Sequence, residues 1–363
     1  MENIGLKIKL QVIPKDINNC IGIIIYNFPP NFMIDFEKIN LALINASKNN
    51  NITKNYNISA GLIDNVTTNN PIKIIYKLEN IIKHKPEIIR PNTKDLAMAI
   101  KTHLKYDTVY PNEIFYLFII FGTICREYLK TKNIDVFSHI YRLKDIHDLS
   151  LGDLEIDTIK QNIMELDSFP IIDPRAKSLM KQLIKKTEAI KDTIGGTIET
   201  VIKNLPIGIG NIPFQKLNSQ FSFLLFQIPN CFSVEFGSIN NLSNKFGSKI
   251  VDEIYYQNDM IKLKSNNLGG LNDGLSNGND ILIKSSFYPD LPINCEVKTI
   301  NIATGEEITI SSLSKNEVLK INFQLQLVQA FISYCILDNL LYKSLASYKE
   351  LVTSKILLLY LLK

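Results

Sequence analysis

Short runs of apolar or alternating residues, each bounded by Pro, Gly, Asn or Asp, recur along the chain and predict β-strands. These runs are residues 5–10, 20–26, 58–63, 71–78, 134–142 and 280–287. The Asp64-Asn65 pair lies between two of the runs and predicts the turn of a hairpin-like pair. The Asn-rich residues 49–57 predict a loop.

Longer segments with apolar residues at helical spacing predict α-helices. They cover residues 36–45, 112–130, 174–191 and 322–341. Asp35 precedes the first of these helices and Asp173 the third, and both carboxylates can cap a helix N-terminus. The longest apolar run, residues 114–124, is about half as long as a membrane-crossing helix, so we expect a buried helix there.

The composition indicates a folded protein of the cytoplasm. The chain has 363 residues, 45% of them hydrophobic, which is enough for one large domain or two smaller ones. Its net charge is only +4 and its basic residues are spread along the chain, which argues against a nucleic-acid surface. We see no signal peptide and no membrane span. The five cysteines are isolated from one another, which favours reduced thiols over disulfides or a zinc site.

The most informative stretch is residues 264–310. Its glycines at 269, 270, 274 and 278 precede a predicted strand, and a turn over residues 288–292 follows that strand. Glycines this dense are needed where the backbone adopts positive φ or approaches a ligand closely. Backbone N–H groups in such a loop can bind an anion. The residues alone fit two interpretations, a glycine-rich hairpin without a ligand and a loop that holds one.

The order of motifs in this stretch resembles the C-terminal half of the chorismate synthase family. That family has N-x-A-G-G-x-x-G-G-I-S-x-G, a Lys-Pro-Thr turn, R-T-[IV]-N/D and G-E-E. The residues that keep the pattern are Asn266, Gly269, Gly270, Gly274, Ser276, Gly278, Pro289, Thr299, Asn301, Gly305, Glu306 and Glu307. Further matches, such as Gly22-Ile23 followed by Pro29-Pro30, extend the resemblance over residues 5–345.

The resemblance implies an α+β fold in which two antiparallel sheets sandwich core helices. It implies one domain over residues 1–363, with residues 346–363 as a possible C-terminal extension, and assembly as a homotetramer. The Ile- and Leu-rich residues 355–362 are either an interface or a core helix. We expect neither a nucleic acid nor a membrane as a partner.

The resemblance also implies an activity. Members of the family convert 5-enolpyruvylshikimate 3-phosphate to chorismate and phosphate with reduced FMN, in the shikimate pathway. The cofactor-binding candidates carried over are Asn266, Gly269, Gly270, Asp273, Gly274, Ser276, Pro289, Asp290 and Lys315. Arg90 and Lys48 are the candidates for substrate binding, and no metal is implied. His84, His103, His139 and His147 lack the spacing of a metal or nucleophile site, which predicts ordinary polar roles.

The chemistry-bearing motifs are depleted. The family's F-G-E-S-H-G aligns with residues 13–18, so its histidine is Ile17 here. Its R-H-D-P aligns with residues 315–318, which puts Asn316 at the second histidine and Glu317 at the aspartate. Its R-R-R-P-G aligns with residues 45–49, which contain no arginine. Asp273 puts a carboxylate where the flavin would lie. We therefore assign no catalytic residue.

Two hypotheses follow. The first is a lyase of impaired activity that uses substituted cations such as Lys48, Lys94 and Lys315. The second is a catalytically inactive homologue that acts as a structural or regulatory subunit. Losing one donor that stabilises a developing anion typically costs about 100- to 1000-fold in rate, and several are missing here.

Overall fold

The computed structural model describes residues 6–12, 20–78, 88–93, 95–101, 113–162, 169–210, 215–237, 244–257, 260–291, 293, 295–310 and 317–361. It describes the side chains of these residues except 10–12, 162, 260 and 343–361. The residues Ile17, His84, Lys94, His103, Lys315 and Asn316, on which predictions were made, lie outside the described residues.

The described helices are α1 (Phe36–Ser47), α2 (Asp95–Lys101), α3 (Ile114–Thr131), α4 (Ile156–Asn162), α5 (Pro174–Ala189), α6 (Leu217–Leu225) and α7 (Ile321–Leu361). Short 3₁₀ turns are Asn50–Lys54, Leu151–Asp153 and Gly247–Lys249.

The longer described strands are β1 (Lys7–Val12), β2 (Cys20–Tyr26), β3 (Tyr56–Ala60), β6 (Ile72–Lys77), β7 (Asp135–Leu143), β9 (Gly196–Lys203), β10 (Cys231–Phe236) and β15 (Ile281–Phe287). The shorter ones are β4 (Leu62–Ile63), β5 (Val66–Thr67), β8 (Ile146–His147), β11 (Ile254–Gln257), β12 (Met260–Leu263), β13 (Leu271–Asn272), β14 (Leu275–Ser276), β16 (Val297–Ile300) and β17 (Glu307–Ile310).

Two antiparallel sheets enclose a layer of helices. The first sheet has the order β1-β2-β6-β3 and the second has the order β10-β15-β9-β7-β8. Helix α3 packs on β2 and β6 of the first sheet and on β7 of the second, while α7 packs on β7 and β9. Helix α1 packs on both α3 and α7. The α+β fold with two antiparallel sheets around core helices is confirmed.

The helix layer owes its close packing to the crossing of α3 and α7. Leu117, Ile120 and Phe121 of α3 are almost completely buried. At Gly122 the two backbones come so close that an added Cβ would lie 2.2 Å from the Cβ of Ala330. A glycine is therefore required at this crossing, because any side chain would push the helices apart.

The predicted helix starts are confirmed at α1 and α5. The Asp35 carboxylate accepts hydrogen bonds from the backbone N–H groups of Glu37 and Lys38. The Asp173 carboxylate accepts one from the N–H of Arg175. Such caps satisfy N–H groups that the first turn of a helix leaves without partners.

Some boundaries differ from the sequence prediction. The loop predicted over residues 49–57 is wrong, because a 3₁₀ turn and the start of β3 occupy it. β3 pairs with β6 as expected, but Asp64-Asn65 forms the tip of the smaller β4–β5 hairpin. The last helix continues beyond residue 341 to Leu361.

Helix α7 contains a segment, Ile321–Tyr342, that is long and apolar enough to cross a membrane. In this fold 61% of its apolar window is buried inside the protein. A helix enclosed between two sheets is apolar because it is buried in the protein. Its length and composition alone are therefore weak evidence for a membrane span.

Candidate functional site

The glycine-rich stretch folds as a tight two-residue hairpin. β13 and β14 pair Leu271 with Ser276, and the tip residues Asp273 and Gly274 have φ of 50° and 91°. Positive φ at both tip positions is the type I′ geometry that Asp-Gly favours. Gly274 also lies against Lys216, whose Cβ would be 2.4 Å from a Cβ added at 274. The positive φ and the contact with Lys216 explain why residue 274 is a glycine, and they do so without a bound ligand.

Two predicted cofactor residues of this loop are used for its internal structure. The Asn266 side chain donates to the Asp280 carbonyl at 2.8 Å and accepts from the Gly270 N–H at 2.7 Å. The Ser276 hydroxyl donates to the Pro206 carbonyl at 2.6 Å and accepts from the Ile209 N–H at 2.8 Å. The Asn266 bonds hold the loop to the start of β15, and the Ser276 bonds fix the hairpin to the segment that follows β9.

The loop's backbone N–H groups are also engaged within the protein. Those of Gly269 and Asn277 donate to the carbonyls of Asn266 and Gly270, and that of Ser276 donates to Ile209. At the exposed tip, the Asp273 carboxylate forms an ion pair with Lys216. The described part of the loop therefore presents a carboxylate and no row of open N–H donors.

The turn after β15 carries the candidates Pro289 and Asp290. The Asp290 carbonyl accepts a hydrogen bond of 2.6 Å from the Thr193 hydroxyl, and its carboxylate forms an ion pair with Lys320 of the segment before α7. Gly195 lies beneath the turn, where an added Cβ would be 2.1 Å from the carbonyl oxygen of Phe287. The turn is thus fixed to the start of β9 and of α7.

The structure separates the predicted cofactor residues into two groups. β15 runs from the glycine loop at its start to the Pro289-Asp290 turn at its end. Seven strand residues span about 20 Å, because an antiparallel strand rises about 3.4 Å per residue. The loop and the turn therefore lie at opposite ends of one strand.

Arg90 is held by a buried carboxylate. Its Nε and Nη2 donate to the two oxygens of Asp95 at 2.8 and 3.3 Å. Asp95 is only 2% exposed, whereas Arg90 is 43% exposed. Burial would raise the pKa of Asp95, but the hydrogen bonds and charge of Arg90 outweigh it and lower the pKa. The two hydrogen bonds from the Arg90 guanidinium therefore hold the turn before α2 in place.

Lys48 forms an ion pair with Glu317. Lys48 is the left-handed C-cap of α1, and its Nζ lies 3.6 Å from a carboxylate oxygen of Glu317, just before α7. Both side chains are about half exposed. The resemblance aligns Lys48 with the family's R-R-R-P-G and Glu317 with its R-H-D-P. The structure brings these two residues together although they lie far apart in the sequence.

A buried network that the sequence did not reveal centres on His139. The ring is fully buried, with Nδ1 2.8 Å from Asp148 and Nε2 3.3 Å from Glu199. Glu199 also accepts from the Leu151 N–H at 2.6 Å and lies 3.6 Å from the Nζ of Lys284. His139, Glu199 and Lys284 are direct cross-strand neighbours on β7, β9 and β15.

The network is charged. Burial would lower the pKa of His139, but the hydrogen bonds with Asp148 and Glu199 outweigh it and raise the pKa. Burial would likewise raise the pKa of Glu199, and the bond to His139 lowers it instead. Both shifts favour the charged form, a protonated imidazole between two carboxylates. The sequence contains one indication of this network. Charged residues at 199 and 284 lie within stretches of mainly apolar or small residues.

Within the described ranges, no group of three or more His, Cys, Asp or Glu side chains is arranged to hold a metal ion. The buried network on the outer face of the second sheet is therefore best described as an ion-pair cluster.

A comparison with protein families matches the chorismate synthase model over residues 17–341. The chain belongs to the chorismate synthase family. The resemblance inferred from the glycine loop and its following motifs is thereby confirmed.

Two individual chorismate synthases are similar over most of the chain, and a third is similar over less than half of it. The enzyme of Caldicellulosiruptor bescii is 27% identical over 350 residues, covering 88% of this chain and 90% of the relative. The enzyme of Microcystis aeruginosa is 26% identical over 348 residues, covering 88% and 91%. That of Sulfurisphaera tokodaii is 35% identical over 159 residues, covering 44% and 41%.

A solved crystal structure of chorismate synthase has the same fold. It superposes with a TM-score of 0.70 at 18% sequence identity, and the match covers 93% of this chain and 92% of the other. The chorismate synthase fold is therefore kept across the sheets and the helix layer, although few individual residues are shared.

Proposed function

We propose that this protein acts as a chorismate synthase-type lyase at a strongly reduced rate. It would convert 5-enolpyruvylshikimate 3-phosphate to chorismate and phosphate in the shikimate pathway. The observation that carries the proposal is the Lys48–Glu317 contact, because it keeps two motif positions of the family side by side. By resemblance we also expect a homotetramer in the cytoplasm.

Lys48 is the described cation best able to bind the anionic substrate. The substrate carries a phosphate and two carboxylates, which need cations when water is excluded. The pair of Lys48 with Glu317 is half exposed, and pairs of this kind contribute only about 0–1 kcal/mol. A substrate phosphate can therefore replace Glu317 as the partner of Lys48 at little cost.

Arg90 is less suited to the same role. Moving its guanidinium to a substrate would leave the carboxylate of Asp95 buried without its partner. Breaking a buried pair in this way costs about 3–5 kcal/mol. We therefore assign Arg90 to the structure of the turn, and Lys48 to substrate binding.

Proton transfer is the step most affected by the sequence changes. The family's two histidines are Ile17 and Asn316 here, and neither side chain exchanges a proton near neutral pH. The loss of a single well-placed donor costs about 100- to 1000-fold in rate. The reduced rate in the proposal rests on these two positions and on the missing arginines of residues 45–49.

The resemblance assigns reduced FMN as the cofactor, which would supply transient electron transfer for the loss of phosphate. The described loop does not fit a flavin phosphate, because its N–H groups bond internally and Asp273 adds a carboxylate. We therefore assign no step to this group, and the FMN requirement remains a prediction.

An anaerobic assay tests the proposal directly. Protein is mixed with reduced FMN and 5-enolpyruvylshikimate 3-phosphate, and released phosphate is followed against a reaction without protein. We expect slow release above the background, proportional to protein concentration. Release equal to the background would contradict the lyase assignment.

A second candidate is a non-catalytic subunit of the same fold. It is favoured by the pairing of the described candidates Lys48 and Arg90, each with a carboxylate of the chain. Such a subunit would bind no FMN, and saturating FMN would leave its melting temperature unchanged. A ligand that binds only the native state would raise the melting temperature.

A further inference from the structure

A second cationic site lies inside the helix layer, away from the glycine loop. A cavity of about 50 Å³ is lined mainly by residues of α1, α3, α7 and β7. Lys38 of α1 and both Arg126 and Lys130 of α3 line it. No carboxylate is found among the described residues that line this cavity. Three cations around one small space form an attractive site for an anion.

Arg126 has hydrogen-bonding capacity to spare. Its Nη1 donates to the Oε1 of Gln329 at 2.7 Å. Its Nε is buried and makes no hydrogen bond, and it lies 3.5 Å from a carboxylate oxygen of Glu127. A buried donor that makes no hydrogen bond destabilises the fold. An oxyanion in the cavity would supply acceptors to this guanidinium, whose planar fork suits phosphate.

The cations also repel one another. Burial lowers the pKa of Lys130, and the neighbouring charge of Arg126 lowers it further, with a smaller contribution from Lys38. Glu127, 3.0 Å from the Nζ of Lys130, acts in the opposite direction. The mutual repulsion of three cations near one carboxylate is relieved when an anion binds between them.

We infer that this cavity is a binding site for a phosphate group, held by Lys38, Arg126 and Lys130. The cavity has room for one tetrahedral oxyanion. Lys38 lies ten residues before Lys48 on α1, which is about 15 Å along a helix axis. Asn45, which also lines the cavity, is closer to Lys48, but the three cations that hold the phosphate group do not include Lys48, the cation proposed for the substrate. The inference therefore goes beyond the proposed function.

Binding can be measured without any assay of catalysis. Wild-type protein is titrated with inorganic phosphate at constant ionic strength, with chloride as the balancing salt, and melting temperature and calorimetric heat are recorded. We expect phosphate to raise the melting temperature by mass action. A parallel titration with glycerol 3-phosphate distinguishes the source. Binding of inorganic phosphate alone indicates free phosphate, and binding of both indicates the phosphate group of an ester.

Three variants locate the site. Arg126→Gln is expected to weaken phosphate binding at least tenfold, and Lys38→Gln, which leaves α3 unchanged, at least threefold. Lys132→Gln, on the exposed residue just after α3, is the matched control and should bind as the wild type does. The inference is overturned if wild-type protein shows no response beyond chloride, or if both variants bind phosphate with unchanged affinity.

Discussion

A row of ionisable side chains crosses the outer face of the second sheet. His139, Glu199 and Lys284 occupy neighbouring strands at matching register positions. The Lys284 ammonium also lies 4.4 Å from the centre of the Tyr141 ring. Charged groups are seldom buried unless each has partners, and here each has at least one. At the scale of residues, this row is the largest departure from an apolar interior.

Replacing His139 should be costly. His139→Gln leaves Asp148 and Glu199 facing each other without the imidazolium between them. We expect the free energy of unfolding to fall by about 3–5 kcal/mol, as for other broken buried pairs. Urea denaturation measures the change, and His147→Gln, at an exposed position of β8, is the control. A loss below about 1 kcal/mol would mean that the network is not charged.

The same network predicts a pH dependence. The raised pKa of His139 means that its contribution is complete below the unfolded value of about 6.5 and is lost as pH rises through the folded value. The lowered pKa values of Asp148 and Glu199 mean that theirs is complete above the unfolded values of about 4 and is lost in acid. The stability difference between wild type and His139→Gln should therefore be largest between about pH 4.5 and 6.5. A difference that grows above pH 8 would contradict this assignment.

Asp273 offers a test of the cofactor prediction. Asp273→Asn removes the carboxylate while keeping a residue that tolerates positive φ. If the tip lies beside the flavin, FMN should raise the melting temperature more in this variant than in the wild type. Asp64→Asn, at the similar tip of the β4–β5 hairpin, is the matched control. Equal FMN responses in all three proteins would place Asp273 away from the cofactor.

At the scale of elements, the crossing of α3 and α7 sets the spacing of the whole helix layer. Gly122→Ala adds a methyl group where Ala330 leaves no space. Alanine favours a helix by about 1 kcal/mol over glycine, but overpacking of a core typically costs about 1–3 kcal/mol or more. We expect a net loss in the free energy of unfolding, measured by urea denaturation.

The control for this prediction is Gly247→Ala, because no atom lies within 4 Å of a Cβ added at residue 247. It should leave stability nearly unchanged. The double variant Gly122→Ala with Ala330→Gly moves the methyl group to the opposite helix and should recover part of the loss. A fully stable Gly122→Ala single variant would show that the helices can separate without cost.

Local patterns predicted α1, α3, α5, α7 and six of the eight longer strands. The caps at Asp35 and Asp173 and the strands that follow turn residues could be read from the sequence, because their causes lie within a few residues. The polar row at His139 could not, since it depends on the register between β7, β9 and β15. The close contact at Gly122 depends likewise on a partner helix about two hundred residues away.

At the scale of the whole molecule, the chain has the fold of its family, but the predicted cofactor residues lie in two separate places. The resemblance assigns the glycine loop and the Pro289-Asp290 turn to one cofactor site, yet they lie at opposite ends of β15. Their order in the chain does not show whether the loop and the turn bind the same group. Conversely, Lys48 and Glu317 are far apart in sequence and adjacent in space.

The central claim is that Lys48, at the meeting point of two motifs, supplies the main described cation for the substrate. The most direct measurement is phosphate release by Lys48→Gln under anaerobic conditions with reduced FMN. The control is Lys54→Gln, an exposed lysine at the end of the next 3₁₀ turn. A hydrogen bond to a charged group contributes about 1.5–3 kcal/mol, so KM for 5-enolpyruvylshikimate 3-phosphate should rise at least about tenfold in Lys48→Gln alone. Unchanged kinetics in Lys48→Gln would contradict the claim.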